Sequence, residues 1–155
     1  MTLTIEHDPV TAPRHYFSEN GIEVIDIIEV YGLGDSFHLG SAMKYLLRAG
    51  DKVAPDQTPQ EALVQDLKKS GWYCERFKDR EEDAQLTWPT AMPEADELMP
   101  VESVVREFKL TGARAEAVAD LLNICLNICI GDERDDPELL DQAIANIERA
   151  IQEAA

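Results

Sequence analysis

The chain has 155 residues, 45% of them hydrophobic, with ordinary glycine and proline, which suits one globular domain that buries its own core. Thirty-one acidic residues face fourteen basic ones, for a formal charge of −17, and that acidity excludes duplex nucleic acid as a partner because nothing offsets phosphate repulsion. No apolar run reaches the ~20 residues needed to span a bilayer, and the N-terminus "MTLTIEHDPVTAP" has no signal-like apolar region, so no membrane association and a cytosolic location are expected.

Six helices and no strand are expected, an all-α bundle. The first covers about 20–31, "NGIEVIDIIEVY", where Glu23, Asp26 and Glu29 form a polar line on an otherwise apolar segment. The isoleucines and valines also suit a strand, but acids spaced by three favour helix. The second covers about 36–49. Leu39, Ala42, Met43, Leu46 and Leu47 make a core-facing stripe, Ser41, Lys44, Tyr45 and Arg48 share the opposite face, and Gly50 ends the helix.

The third opens on "TPQE", with Thr58 as N-cap and Glu61 completing a capping box, and runs to about 79. Leu63, Leu67, Cys74 and Phe77 point inward, while Asp66, Lys69, Tyr73 and Arg76 line another face. Residues 80–100 hold three prolines and no period; with Trp88, Met92, Leu98 and Met99 they suit a strap packed on the surface. The fourth helix spans about 101–110. The fifth, about 113–130, is apolar nearly all round and therefore central, and the sixth runs from "DDPELLDQ" to about 153. The chain divides into a module at 1–80, the strap, and an acidic half at 101–155 packed with the first as one domain. A weak repeat of three helices per half is conceivable. The apolar excess of the first and fifth helices predicts a homo-oligomer. Cys74, Cys125 and Cys129 lack zinc spacing and suit reduced core thiols.

Two sets of polar residues bear on chemistry. Residues 1–80 hold 9 basic and 13 acidic residues, and 81–155 hold 5 and 18, yet Lys44, Arg48 and Lys52 recur every four residues within "HLGSAMKYLLRAGDK". A helix brings such positions to one side. That ridge is either a solvated face with internal ion pairs or a phosphate cradle combining a guanidinium fork with a point charge. Glu23 and Asp26 on one helix, with Glu116 and Asp120 on another, are either structural carboxylates or a convergent oxygen set for Mg²⁺. "GLGDSFHLGS" is neither a Walker A sequence nor a dinucleotide fingerprint.

"HY" at 15–16, "GIEVIDIIE" at 21–29, "FHLGSAMKYLLRAGDK" at 37–52 and "DLKKSGWYCERF" at 66–77 resemble a family of small bacteriophage nucleotide kinases that lack a Walker A motif. The resemblance covers roughly residues 13–80. It implies a nucleotide ligand, ATP or another nucleotide as co-substrate, and phosphoryl transfer to a (deoxy)nucleoside monophosphate in the cytoplasm of an infected bacterial host. Lys44, Arg48 and Asp66 would carry catalysis, and His15, Tyr16, Gly40, Ser41, Lys44, Tyr45, Arg48, Lys52, Lys69 and Tyr73 would bind the nucleotide, with Trp72 a further stacking surface. Ser41 replaces a usual asparagine and Asp51 a frequent lysine. A fainter resemblance links "AEAVADLLNICLNI" to all-α nucleoside triphosphate pyrophosphohydrolases, with Glu116–Ala117 where that family doubles its glutamate. It implies Mg²⁺ held by Glu23, Asp26, Glu116 and Asp120. A third possibility is a non-catalytic protein that sequesters a host signalling nucleotide.

Overall fold

The computed structural model describes Ser18 and residues 21–81, 99–130 and 136–155. Within them lie helices α1 (Val24–Val30), α2 (Phe37–Arg48), α3 (Pro59–Glu81), α4 (Val101–Glu107), α5 (Gly112–Ile130) and α6 (Asp136–Ala154), plus a 3₁₀ turn at Leu33–Asp35. The fold is all-α, with no β-strand among the described residues. Of the strap expected at 80–100, residues 82–98 lie outside them, while 80–81 belong to the end of α3.

Local chemistry sets the helix starts. Ser36 Oγ accepts from the Leu39 N–H at 3.1 Å to open α2. The Thr58/Glu61 box forms as expected, with Glu61 N–H to Thr58 Oγ1 at 3.1 Å and Thr58 N–H to the Glu61 carboxylate at 3.2 Å. α1 starts four residues later than its apolar pattern suggests. A turn closes first, with Ser18 N–H to Ile22 O at 2.8 Å and Gly21 at φ 84°, and Glu23 then takes the N-cap position. The Asp26 carboxylate accepts from the Glu23 N–H at 3.4 Å. α1 is also less enclosed than expected: Val24, Ile27 and Ile28 are buried, whereas Ile25 and Val30 are exposed.

α2 packs on α3, α3 on α6, α6 on α5, and α5 returns to α2, closing a ring of four helices; α1 lies on α2 and α4 on α5. The two halves of the sequence therefore interleave around one core. Leu39, Ala42, Met43, Leu46 and Leu47 are all buried, as their spacing requires. α3 carries small residues where it crosses its neighbours. Ser70 is buried and donates to the Ala42 carbonyl at 2.9 Å, and a Cβ on Gly71 would lie 3.3 Å from Ile147 Cγ2. Tyr31, fully buried, donates its hydroxyl to the Met99 carbonyl and ties the turn after α1 to the approach to α4. No described helix is long and apolar enough to cross a membrane.

Candidate functional site

The polar faces of α2 and α3 meet beside this ring. Tyr45 from α2 and Tyr73 from α3 lie nearly parallel, 6.0 Å between centroids and 10° between planes. Three cations surround Tyr45: Lys44 Nζ at 4.5 Å from the ring centroid, Arg48 Cζ at 4.8 Å and Lys69 Nζ at 5.3 Å. Each distance is within cation–π reach. Phe37, 72% exposed at the first position of α2, sets its ring edge-on to Tyr73 at 5.7 Å, and His38 lies at 6.2 Å from the same ring. His38 Nδ1 is buried and has no hydrogen-bond partner among the described residues.

The three cations are not equivalent. Arg48 was expected to face away from the core, and this is corrected: it is only 7% exposed, its guanidinium 4.0 Å from the carboxylate of Asp66, itself 5% exposed. The other Asp66 oxygen accepts the Gly50 N–H at 3.3 Å, where Gly50 at φ 83° ends α2. Arg48 thus sits in the last turn of α2, where a cation suits the helix dipole, and α3 supplies its counter-ion. Lys44 and Lys69 have no carboxylate within 4 Å among the described residues. On a chain with 31 acids, that is the unusual feature of the cluster.

Arg114, from the first turn of α5, completes the end of α2. Its Nε donates to the Leu46 carbonyl at 2.6 Å and a terminal nitrogen to the Leu47 carbonyl at 3.1 Å. Burial lowers its pKa, while nearby Asp51 and Asp66 oppose the shift. Asp51 keeps contact with water yet is hemmed in enough that desolvation raises its carboxyl, Asp66 adding to this and Arg114 and Arg48 opposing it. Arg48, Arg114, Asp51 and Asp66 together balance their formal charges, so the free positive field rests on the two lysines.

Residues 10–75 match the model of a family described as a protein of unknown function, DUF3310. No curated protein and no solved structure matches the chain. The DUF3310-like segment ends inside α3 and contains every residue of the Tyr45 cluster, but not Arg114.

The structure brings Lys44, Tyr45, Arg48, Asp66, Lys69 and Tyr73 together, with Ser41 half-buried on the same face of α2. Lys52 is exposed in the turn beyond Gly50, with no recorded contact to the cluster. Gly40 has a packing reason: a Cβ there would lie 2.9 Å from the Leu33 carbonyl oxygen. His15 and Tyr16 lie outside the described residues. The four carboxylates expected to share a cation are not gathered. Glu23 and Asp26 cap α1, Glu116 pairs with Arg149, and Asp120 accepts from Asn146 at 2.8 Å. Burial raises the Asp120 pKa, and the Asn146 bond partly offsets this. Among the described residues no three His, Cys, Asp or Glu side chains form a metal-binding group. Sequence reasoning missed Phe37 and Arg114. Phe37 gave no periodic signal, but an arginine in a helix's first turn sits at the wrong end of that helix's dipole, which hints at a partner elsewhere.

Proposed function

We propose that the protein binds a nucleotide at the Tyr45 cluster and transfers the terminal phosphoryl group of ATP to a (deoxy)nucleoside monophosphate in the cytoplasm of a phage-infected cell. One observation supports this above the others: Lys44 and Lys69 converge on the Tyr45 ring beside Arg48 without carboxylate partners among the described residues. Neighbouring cations repel, and an anion with several oxygens relieves that repulsion while gaining charge-assisted hydrogen bonds. The aromatic surface of Tyr73 and Phe37 offers stacking to a base.

In the transfer, the bond between the γ-phosphorus and its bridging oxygen breaks and one to a monophosphate oxygen forms. The protein forms no covalent bond, so its work is positioning and charge neutralisation. Lys44 and Lys69 neutralise phosphate oxygens. Asp66 holds Arg48 and the Gly50 amide and so fixes the end of α2. Among the described residues no three carboxylates gather, and no step is assigned to a protein-held Mg²⁺.

The test is chromatography of products from ATP with each monophosphate, and from each triphosphate alone. ADP with a new diphosphate supports the transfer. Pyrophosphate released from a lone triphosphate replaces it with hydrolysis. Tight binding without turnover replaces it with sequestration.

A further inference from the structure

The outward side of α3 carries a second surface that shares only Lys69 with the Tyr45 cluster. It is a groove of about 660 Å³, walled by Gln57, Gln60, Gln65, Lys68, Lys69 and Trp72. Small-molecule sites occupy roughly 300–1,000 Å³, mostly apolar with a few placed polar groups. Trp72 is 58% exposed, and its indole is held edge-on to Tyr73, 5.0 Å between centroids and 88° between planes. Gln57 takes the Ala54 N–H at 3.2 Å on its carbonyl and donates its amide to the Gln65 carbonyl at 2.8 Å. That bond leaves the Gln65 NH₂ as the donor available to a ligand.

We infer that this groove is the acceptor subsite, taking a nucleoside monophosphate with its base on Trp72 and its phosphate at Lys68 and Lys69. The inference rests on the transfer reading above. Lys69 decides the geometry, because it lines this groove and also places its ammonium 5.3 Å from the Tyr45 ring. One cation therefore stands between two aromatic surfaces, where the donor's terminal phosphate and the acceptor's phosphate must meet. The triphosphate is assigned to the Tyr45 side, where Lys44 and Lys69 stand beside the Asp66-paired Arg48, and the monophosphate to the Trp72 side, where Lys68 and Lys69 stand. Glu61, also on this wall, is occupied by the Thr58 N–H in its capping box.

Calorimetric titration with a non-hydrolysable ATP analogue and with the four deoxynucleoside monophosphates tests the assignment on the full chain. The wild type should bind the analogue and a monophosphate together. Trp72→Ala should weaken the monophosphate about tenfold or more, as loss of base stacking does, and leave the analogue within about twofold. Lys44→Ala should do the reverse, and Lys69→Met should weaken both. Trp72 is exposed, so its removal leaves the fold intact, and Trp72→Phe should restore monophosphate binding. If Trp72→Ala binds the monophosphate as the wild type does, or the two ligands compete for one site, the groove is not the acceptor subsite while nucleotide binding at Tyr45 stands. If the wild type binds neither ligand, both readings fall.

Discussion

Arg48 and Lys44 stand one helical turn apart and touch the same ring, yet their removal should have opposite signatures. Arg48→Ala takes away the cation facing Asp66 and leaves a carboxylate that is 5% exposed with one hydrogen-bond donor among the described residues, the Gly50 N–H. Breaking a buried ion pair from one side destabilises by about 3–5 kcal/mol. The 4.0 Å separation places this pair at the weak end, near 3 kcal/mol by the same scale, or roughly 6–12 °C in melting temperature for a chain of this size. Lys44→Ala removes a half-buried side chain with no carboxylate partner among the described residues, so the loss should stay below about 1 kcal/mol, the scale of a surface cation–π contact. Its effect belongs in nucleotide affinity, a loss of about ten- to a hundredfold for a charge-assisted phosphate contact. Thermal melts followed by circular dichroism, with calorimetric titration of a triphosphate on the same variants, separate the two. Adding Asp66→Asn to Arg48→Ala should recover part of the loss, because the lone charge is gone while the Gly50 bond can persist. An Arg48→Ala melting temperature within about 2 °C of wild type, or a double variant less stable than the single, would refute the assignment of Arg48 to the buried pair.

Gly40→Ala should lower stability by about 1–3 kcal/mol in urea unfolding although alanine favours helix, because its Cβ meets the Leu33 carbonyl at 2.9 Å; a stabilised variant would show that the turn can move. Asp120→Asn should raise the melting temperature at pH 7. Its folded pKa lies above the ordinary 3.8, so ionisation works against the fold above that range, and the gain should fade as pH falls below it. The same variant should keep any nucleotide turnover, whereas loss of Mg²⁺-dependent hydrolysis would restore the pyrophosphohydrolase reading. Burial pushes the Cys74 thiol up to about 12, so site-resolved mass spectrometry should find it unalkylated by iodoacetamide at pH 8 until denaturant is added. Ile25 and Val30 stay exposed on α1, and light scattering at micromolar concentration should report a homo-oligomer; a monomeric mass would leave that face uncovered.

Helix periodicity made the fold legible, and caps placed several boundaries. The stripe from Leu39 to Leu47 named the buried face of α2 residue by residue, and "TPQE" placed the start of α3. What a single helix's pattern cannot express is a second neighbour. Arg48 shares a face with Lys44 on α2 alone, but α3 brings Asp66 over the last turn and Arg114 arrives from α5, so that face is enclosed at one end and open at the other. The acids on α1 and α5 misled for the same reason. Their spacing suits ligands, but a free helix start consumed Glu23 and Asp26, and α6 supplied Arg149 and Asn146 to Glu116 and Asp120. Lys44 and Tyr45 on α2, and Lys69 and Tyr73 on α3, were each readable as one helix face, but the meeting of the two faces is a tertiary fact that neither helix's period contains.

Arg114 has a bearing on how such a chain can be cut and rejoined. The DUF3310-like segment stops at residue 75, yet the carbonyls that end its α2 helix are capped by a guanidinium 39 positions beyond that limit. A truncation at the segment's edge would strand those carbonyls and remove a cation that offsets the charges of Asp51 and Asp66. A chimera carrying a foreign tail would inherit the same deficit unless the newcomer supplied a cation at the matching place. The DUF3310-like segment of this chain thus depends on α5 to satisfy the end of its own α2.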